Sequence, residues 1–156
     1  MHIQIDSREK TRAIKKILAE FDRQGVGHFV SKLYVGDYMN LDNPKLIVDR
    51  KQNLLELCGN VCQGHKRFMG EIERAESAGI RLVILCEHGG KVKTLDDVQN
   101  WINPRLKESP LAVSGERLYR ILMSISRGHD VKFEFCDKNE TGRRIIGLLG
   151  GDDVGA

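Results

Sequence analysis

The chain has 156 residues, 40% of them apolar and 30% charged, which is typical of a single soluble globular domain. No apolar run approaches the ~18 residues that a membrane span requires, and the N-terminus lacks the basic and then apolar pattern of a signal peptide. The formal net charge of +3 is too small by itself to identify a nucleic-acid binder. We therefore expect a cytoplasmic protein without a membrane partner.

Apolar periodicity predicts an alternation of strands and helices along the chain. The predicted strands are 2–6, 29–38, 46–51, 81–86 and 131–136. The predicted helices are 11–24, 54–62, 65–78, 96–102, 114–127 and 140–149, with Ser114 as an N-cap. Residues 103–110 have the composition of a linker, and residues 150–156 that of a flexible tail. This order is typical of an α/β sandwich in which helices flank a mixed central β-sheet.

Acids and a lysine coincide on the two strands predicted around the turn at Asp42-Asn43-Pro44. Asp37 lies near the end of the first strand, and Asp49 and Lys51 lie on the second. Residues two apart on a strand point to the same face, so Asp49 and Lys51 project together, close to Asp37. Two carboxylates and an ammonium group can hold a divalent cation and orient a water molecule, which indicates phosphodiester chemistry.

Further acids and bases surround this hairpin. Asp6 and Glu9 follow the first predicted strand. Any one of these acids is more often a simple turn residue, but their clustering with a lysine at the ends of neighbouring strands favours a metal site. Basic residues near it form a candidate phosphate track, although each alone is more often part of a solvated surface. They are Lys10, Arg12, Lys32, Lys66, Arg67 and Arg74.

The four cysteines suggest structural thiols more than a metal centre. Cys58, Cys62 and His65 share one short segment, but no matching second pair of ligands follows, as structural zinc usually requires. Cys86 and Cys136 each end an apolar strand, as buried free thiols commonly do. We expect reduced cysteines, with zinc as the less favoured alternative.

Three motifs, in order, resemble those of the XPF-type structure-specific endonucleases. They are Asp6-Ser-Arg-Glu9, Gly36-Asp37-Tyr38 and Val48-Asp49-Arg50-Lys51, where the family has Asp-x-Arg-Glu, Gly-Asp-Tyr and Glu-Arg-Lys-x-x-x-Asp. The following helix, with Arg67 and Glu71, resembles the family's Arg-x-x-x-Gln. The next apolar strand also resembles that of the family, because it ends in Glu87. The resemblance covers residues 2–88.

This resemblance implies a restriction-endonuclease-like (PD-(D/E)XK) fold that cleaves branched DNA with Mg²⁺, or with Mn²⁺ as a substitute. It makes Asp6, Glu9, Asp37 and Asp49 the metal-site acids, with Asp37, Asp49, Arg50 and Lys51 as the catalytic set. Arg50 enters on this ground alone, since a regular strand turns it away from Asp49. The expected DNA-binding residues are Arg8, Lys10, Lys66 and Arg67, the two arginines being suited to bidentate phosphate contact.

The chain also departs from the family motifs. Asp49 replaces a glutamate, Leu55 stands where the final aspartate is expected, and Glu71 replaces a glutamine. Residues 89–156 contain no tandem helix-hairpin-helix pattern. We therefore expect one stand-alone nuclease domain over residues 1–150, of bacterial or phage type, with a motif core at 2–88 and C-terminal helices and a strand at 95–149.

Other functions remain open. One is a catalytically weak DNA-binding or scaffold subunit, although the retained acids and Lys51 argue against it. Another is a junction resolvase or exonuclease of the same fold. No Gly-x-Gly-x-x-Gly follows the first strand, so we expect no dinucleotide or other organic cofactor. The resemblance also implies a possible homodimer, because members of the family often dimerise through the nuclease domain. The apolar stripe formed by Leu118, Ile121, Leu122 and Ile125 could serve the core or such an interface.

Overall fold

The computed structural model describes residues 1–151. Its strands are β1 (His2–Ile5), β2 (Gly27–Val30), β3 (Tyr38–Asn40), β4 (Asn43–Lys51), β5 (Arg81–Glu87) and β6 (Val131–Cys136). Its α-helices are α1 (Lys15–Arg23), α2 (Leu54–Val61), α3 (His65–Ser77), α4 (Gly115–Gly128) and α5 (Thr141–Leu149). Short 3-10 helices cover Thr11–Ile14, Leu95–Asn100, Pro104–Lys107 and Lys138–Glu140. Most of the tail predicted at 150–156 lies outside the described residues.

The six strands form one mixed sheet in the order β2-β1-β3-β4-β5-β6. The pairs β1–β2, β4–β5 and β5–β6 are parallel, whereas β3 is antiparallel to both of its neighbours. Two apolar cores lie against the sheet: α2, α3 and α4 contribute to one, and α1 and α5 to the other. The predicted α/β sandwich with a mixed, helix-flanked sheet is confirmed.

The prediction of a continuous strand over residues 29–38 is wrong. The chain pairs in parallel with β1 as the edge strand β2, leaves the sheet after Val30, and returns as β3 between β1 and β4. Residues 31–37 must therefore cross from the sheet edge to its interior. Gly36 makes this crossing possible, because its φ of +71° is left-handed and an added Cβ would collide with Ile47. The crossing delivers Asp37 to the start of β3.

In the C-terminal half, β5, α4, β6 and α5 each lie within one residue of the predicted bounds. Ser114 caps α4, since its hydroxyl accepts a hydrogen bond from the backbone N–H of Arg117 at 3.2 Å. Leu118, Leu122 and Ile125 on the same helix are buried, so the apolar stripe of α4 serves the core. The segments predicted as a helix at 96–102 and a linker at 103–110 each contain a 3-10 helix. No helix among residues 1–151 is long and apolar enough to cross a bilayer.

Candidate active site

The hairpin of β3 and β4 brings two aspartates together. Tyr38 pairs with Val48, and the backbone N–H of Asp37 donates to the carbonyl of Val48 at 2.9 Å. The carboxylate of Asp37 then accepts a hydrogen bond from the backbone N–H of Arg50 at 2.8 Å. Asp37 is thereby held beside the end of β4, where Asp49 and Lys51 lie.

These residues open onto a cleft of about 410 Å³. The sheet supplies Asp37, Asp49, Arg50 and Lys51, the turn after β1 supplies Arg8 and Glu9, and α2, α3 and the segment between them supply Glu56, Asn60, Gly64, Arg67, Phe68 and Glu71. Seven predicted site residues therefore meet in one cavity, in which five acids lie beside four basic residues.

The two aspartates repel each other. Burial, and then the negative charges of Asp49 and Glu9, raise the pKa of Asp37 well above its usual value. Oδ2 of Asp49 is buried and accepts no hydrogen bond, although Nζ of Lys51 lies 3.3 Å away. A buried acceptor without a donor is unusual unless something else binds it.

Lys51 supplies a positive charge beside Asp37 and Asp49 in the cleft. Burial alone would lower its pKa, but the carboxylates of Asp49, Glu71 and Asp37 raise it above the ordinary value, so the ammonium stays charged. Its Nζ also lies 5.9 Å from the centre of the Phe68 ring, within the range of a cation–π contact.

Glu71 adds a third acid to the cleft. Burial and the charge of Asp49 raise its pKa, and its carboxylate accepts a hydrogen bond from the backbone N–H of Gly36 at 3.3 Å. The glutamine that the family has at this position would be neutral, so this cleft carries more negative charge than the motif series implies.

The acids fit a divalent cation. Oδ2 of Asp49 accepts no hydrogen bond, and the charge of Asp49 raises the pKa of Asp37; a bound positive charge would relieve both. Within residues 1–151, no group of three or more His, Cys, Asp or Glu is arranged to hold an ion alone. An ion on Asp37 and Asp49 would therefore complete its coordination with water and phosphate oxygens, as Mg²⁺ commonly does.

The structure places Asp6 outside this cleft. Its side chain is fully buried: Oδ1 accepts from the backbone N–H of Leu33 at 2.8 Å, and Oδ2 accepts from Nε of Arg8 at 2.6 Å. Burial opposes ionisation, yet these hydrogen bonds hold the pKa of Asp6 below its usual value. Asp6 ties the crossing segment 31–37 to β1, and we do not retain it as a metal ligand.

Glu9 lines the cleft but is engaged by protein donors. Its Oε2 accepts from the Tyr38 hydroxyl at 2.6 Å and from Nε of Arg50 at 2.7 Å. Arg50 in turn forms an ion pair with Glu87, and both residues are buried. Burial alone would lower the pKa of Arg50, but Glu9 and Glu87 raise it above the ordinary value. Arg50 thus cross-links two acids.

Three members of this network lay beyond the predicted site. Two of them could have been included from the sequence, because Tyr38 belongs to the Gly-Asp-Tyr motif and Glu87 ends the apolar strand that resembles that of the family. Thr141 donates to Oε2 of Glu87 at 2.8 Å across a separation of 54 residues, and no local pattern marks it.

The predicted DNA-binding residues divide into two groups. Arg8 and Arg67 line the cleft and are exposed, whereas Lys10 and Lys66 are exposed outside it. Arg8 is paired with Asp6 at 2.6 Å, and Arg67 has no hydrogen-bond or ion-pair partner among the residues that the structure covers. Arg67 is the cationic side chain of the cleft that is free to meet a phosphate.

Leu55, which stands where the family motif has its final aspartate, does not line the cleft. Glu56, the next residue, lines the cleft, and its Oε2 accepts from the backbone N–H of Gln52 at 2.7 Å at the start of α2. Leu55 instead lines a separate cavity of about 380 Å³ together with Cys58 and Cys62.

Burial and the neighbouring Cys62 raise the pKa of Cys58 to about 11, which favours the neutral thiol over a metal-binding thiolate.

The six-stranded mixed sheet with helices on both faces has the restriction-endonuclease-like fold. The family known as the ERCC4 domain matches residues 5–147 of the sequence. The chain belongs to this family, which agrees with the XPF-type motifs found in the sequence.

Two solved structures share the fold. XPF from Aeropyrum pernix is 18% identical with a TM-score of 0.64, over 96% of this chain and 60% of that one. XPF from Aeropyrum pernix in complex with DNA is 19% identical with a TM-score of 0.68, over 96% of this chain and 63% of that one. The chain therefore spans about three fifths of these XPF chains. No curated protein matches it significantly.

Proposed function

We propose that the protein is a divalent-metal-dependent DNA endonuclease that hydrolyses phosphodiester bonds in branched DNA. The observation that carries this proposal is the juxtaposition of Asp37, Asp49 and Lys51 in one cleft, where Oδ2 of Asp49 is buried and forms an ion pair with Lys51 but accepts no hydrogen bond. Membership of the ERCC4 domain family supports the nuclease activity.

In this proposal, Asp37 and Asp49 hold Mg²⁺, for which Mn²⁺ can substitute. The bound ion would lower the pKa of a water molecule and offset the negative charge that develops on the phosphate. Lys51 remains protonated because acids surround it, so its ammonium can orient the attacking water or bind a non-bridging phosphate oxygen. Arg50 shapes the site from its buried position between Glu9 and Glu87.

DNA would approach over the open side of the cleft. Arg67 is exposed and free of acidic partners in the described part of the chain, and its guanidinium suits bidentate contact with a phosphate. Arg8 stands at the same cleft, and Lys10 and Lys66 would extend the contact outside it. The complex of XPF from Aeropyrum pernix with DNA supports a DNA ligand for this fold.

We also propose that residues 1–150 act as one nuclease domain, and that the domain forms a homodimer. Light scattering coupled to gel filtration measures the dimer directly. A mass of about 17.7 kDa at all concentrations would identify a monomer and contradict this part of the proposal.

A cleavage assay tests the function. Labelled linear, flap, fork and four-way-junction DNA are each incubated with the protein in Mg²⁺, Mn²⁺ or EDTA, beside the Asp37→Asn and Lys51→Ala variants. We expect metal-dependent cutting that favours a branched substrate, and a loss of at least ~100-fold in both variants.

Matched controls carry the same changes on the surface. Asp42→Asn and Lys91→Ala alter exposed residues outside the cleft, and both should cut at the wild-type rate. Cutting in EDTA, or equal cutting by all four variants, would contradict the mechanism. DNA binding without any cutting would favour the scaffold alternative, and release of single nucleotides from ends would favour an exonuclease.

A further inference from the structure

Glu87, the last residue of β5, is a buried acid whose two oxygens have different partners. Oε1 accepts from Nη1 of Arg50 on the neighbouring strand. Oε2 accepts from Oγ1 of Thr141, the first residue of α5, at 2.8 Å. Glu87 is 7% exposed and Thr141 is 0% exposed, so water has little access to replace the hydroxyl. The Thr141 hydroxyl therefore sets the rotation of the Glu87 carboxylate.

The orientation of the Glu87 carboxylate matters because Arg50 donates hydrogen bonds to two acids, Glu87 and Glu9. Nε and Nη2 of Arg50 donate to Glu9 at 2.7 and 3.2 Å, while Nη1 donates to Glu87. A carboxylate that is free to rotate can take an arginine with both oxygens in the stronger bidentate geometry. With Oε2 held by Thr141, Glu87 meets only one nitrogen, and the rest of the guanidinium stays with Glu9.

Glu9 is the second acid that Arg50 binds. Glu9 lines the acidic cleft together with Asp37. If Arg50 moved towards Glu87, Glu9 would keep only the neutral Tyr38 hydroxyl, 2.6 Å away, as its donor. The negative charge of Glu9 would then have no positively charged partner near Asp37, and the arrangement of charges around the site would change.

We propose that Thr141 is a positioning residue: its hydroxyl orients Glu87 so that Arg50 is divided between Glu87 and Glu9, and so sets the charge on the wall of the acidic cleft. Its effect on cutting rests on the proposed function, whereas its effect on Arg50 does not. The helix α5 thereby takes part in the site although none of its residues lines the cleft.

The test removes the hydroxyl and keeps the shape. Thr141→Val is nearly isosteric, Thr141→Ala is a second variant without the hydroxyl should valine prevent folding, and Thr141→Ser restores it. Ile145→Val is the matched control, since it trims another fully buried residue of α5 whose side chain has no group that can hydrogen-bond to Glu87. Two measurements are made. Steady-state kinetics give kcat and KM for the DNA that the wild type cuts, and NMR gives the ¹H–¹⁵N signal of the Arg50 Nε–H, assigned with an Arg50→Lys variant.

We expect Thr141→Val to lower kcat roughly tenfold with little change in KM, because a hydrogen bond to a charged group is lost without a change in the DNA-contacting surface. The Arg50 Nε–H signal should shift in the same protein. Thr141→Ser and Ile145→Val should resemble the wild type in both measurements, which separates positioning from a general loss of packing.

The outcomes distinguish this inference from the proposed function. A folded Thr141→Val or Thr141→Ala protein with unchanged kcat and an unchanged Arg50 signal would overturn the role of Thr141 while the nuclease activity stands. Failure of Thr141→Ser to restore either quantity would also overturn it. If the wild type cuts no DNA, the proposed function fails, and the Arg50 signal alone decides whether Thr141 positions the network.

Discussion

At the scale of single residues, the site depends on an imbalance of charge. Asp37, Asp49 and Glu71 face one lysine, and the pKa values of Asp37 and Glu71 are both raised by burial and by neighbouring acids. Without a bound cation, ionisation of the Asp37 and Glu71 carboxyls in the cleft is therefore unfavourable. This gives two predictions, one on stability and one on DNA binding.

Asp37 should make the metal-free protein less stable as pH rises. The pKa of Asp37 in the folded state lies above its unfolded value, so the folded state binds the additional proton, and its contribution to the free energy of unfolding is lost as pH rises from about 4 through the folded pKa. In EDTA at pH 7.5 we expect Asp37→Asn to be more stable than wild type by about 1–2 kcal/mol, and this advantage to vanish near pH 4.

Urea unfolding at the two pH values measures this difference. Asp42→Asn, in an exposed turn, is the control and should leave the free energy of unfolding unchanged at both. A lower free energy of unfolding for Asp37→Asn than for the wild type at pH 7.5 would contradict the claim that ionised Asp37 destabilises the folded protein. Added Mg²⁺ should stabilise the wild type and have no such effect on the variant.

Glu71 should weaken DNA binding, because it adds negative charge to the surface that meets phosphates. Glu71→Gln is expected to bind DNA about fivefold more tightly, which corresponds to about 1 kcal/mol, the size of one close charge interaction screened as in bulk water. Fluorescence anisotropy in EDTA measures the Kd. Glu73→Gln, which alters an exposed acid of the same helix, should change it much less, and unchanged or weaker binding by Glu71→Gln would contradict the charge account.

At the scale of elements, the hairpin of β3 and β4 could be predicted from the sequence, and the path into it could not. The side-chain period of a strand is local, so Asp49 and Lys51 had to share a face. Residues 29–38 also read as extended, but Gly36 requires φ near +71° there and the Asp6 carboxylate binds the N–H of Leu33. The position of Asp6 follows from this tertiary crossing, which no periodicity shows.

The crossing segment should be sensitive to Gly36. We expect Gly36→Ala to destabilise the protein by about 1–3 kcal/mol, because alanine disfavours the left-handed conformation and its Cβ would collide with Ile47. Gly70→Ala, inside α3 with no atom within 4 Å of the added Cβ, should instead stabilise it by about 0.5–1 kcal/mol. Chemical denaturation measures both, and equal effects of the two changes would contradict the packing described here.

At the scale of the whole molecule, the sheet collects residues that are far apart in sequence. The family motifs marked Asp37, Asp49, Arg50, Lys51 and Arg67, which all line the cleft. The links behind them, from Glu9 through Arg50 and Glu87 to Thr141, pass through side chains on the first turn, two strands and the last helix. Such contacts depend on how layers pack, so a sequence pattern alone could not predict them.

The central claim is that Asp37 and Asp49 form a divalent-metal site on which DNA cutting depends. Its most direct test is the single-turnover rate of cutting a flap substrate as a function of Mn²⁺ concentration, for the wild type and for Asp49→Asn. We expect a saturable rise in the wild-type rate, no cutting in EDTA, and a rate at least ~100-fold lower in Asp49→Asn at every concentration. Equal rates in the two proteins, or wild-type cutting that persists in EDTA, would contradict the claim.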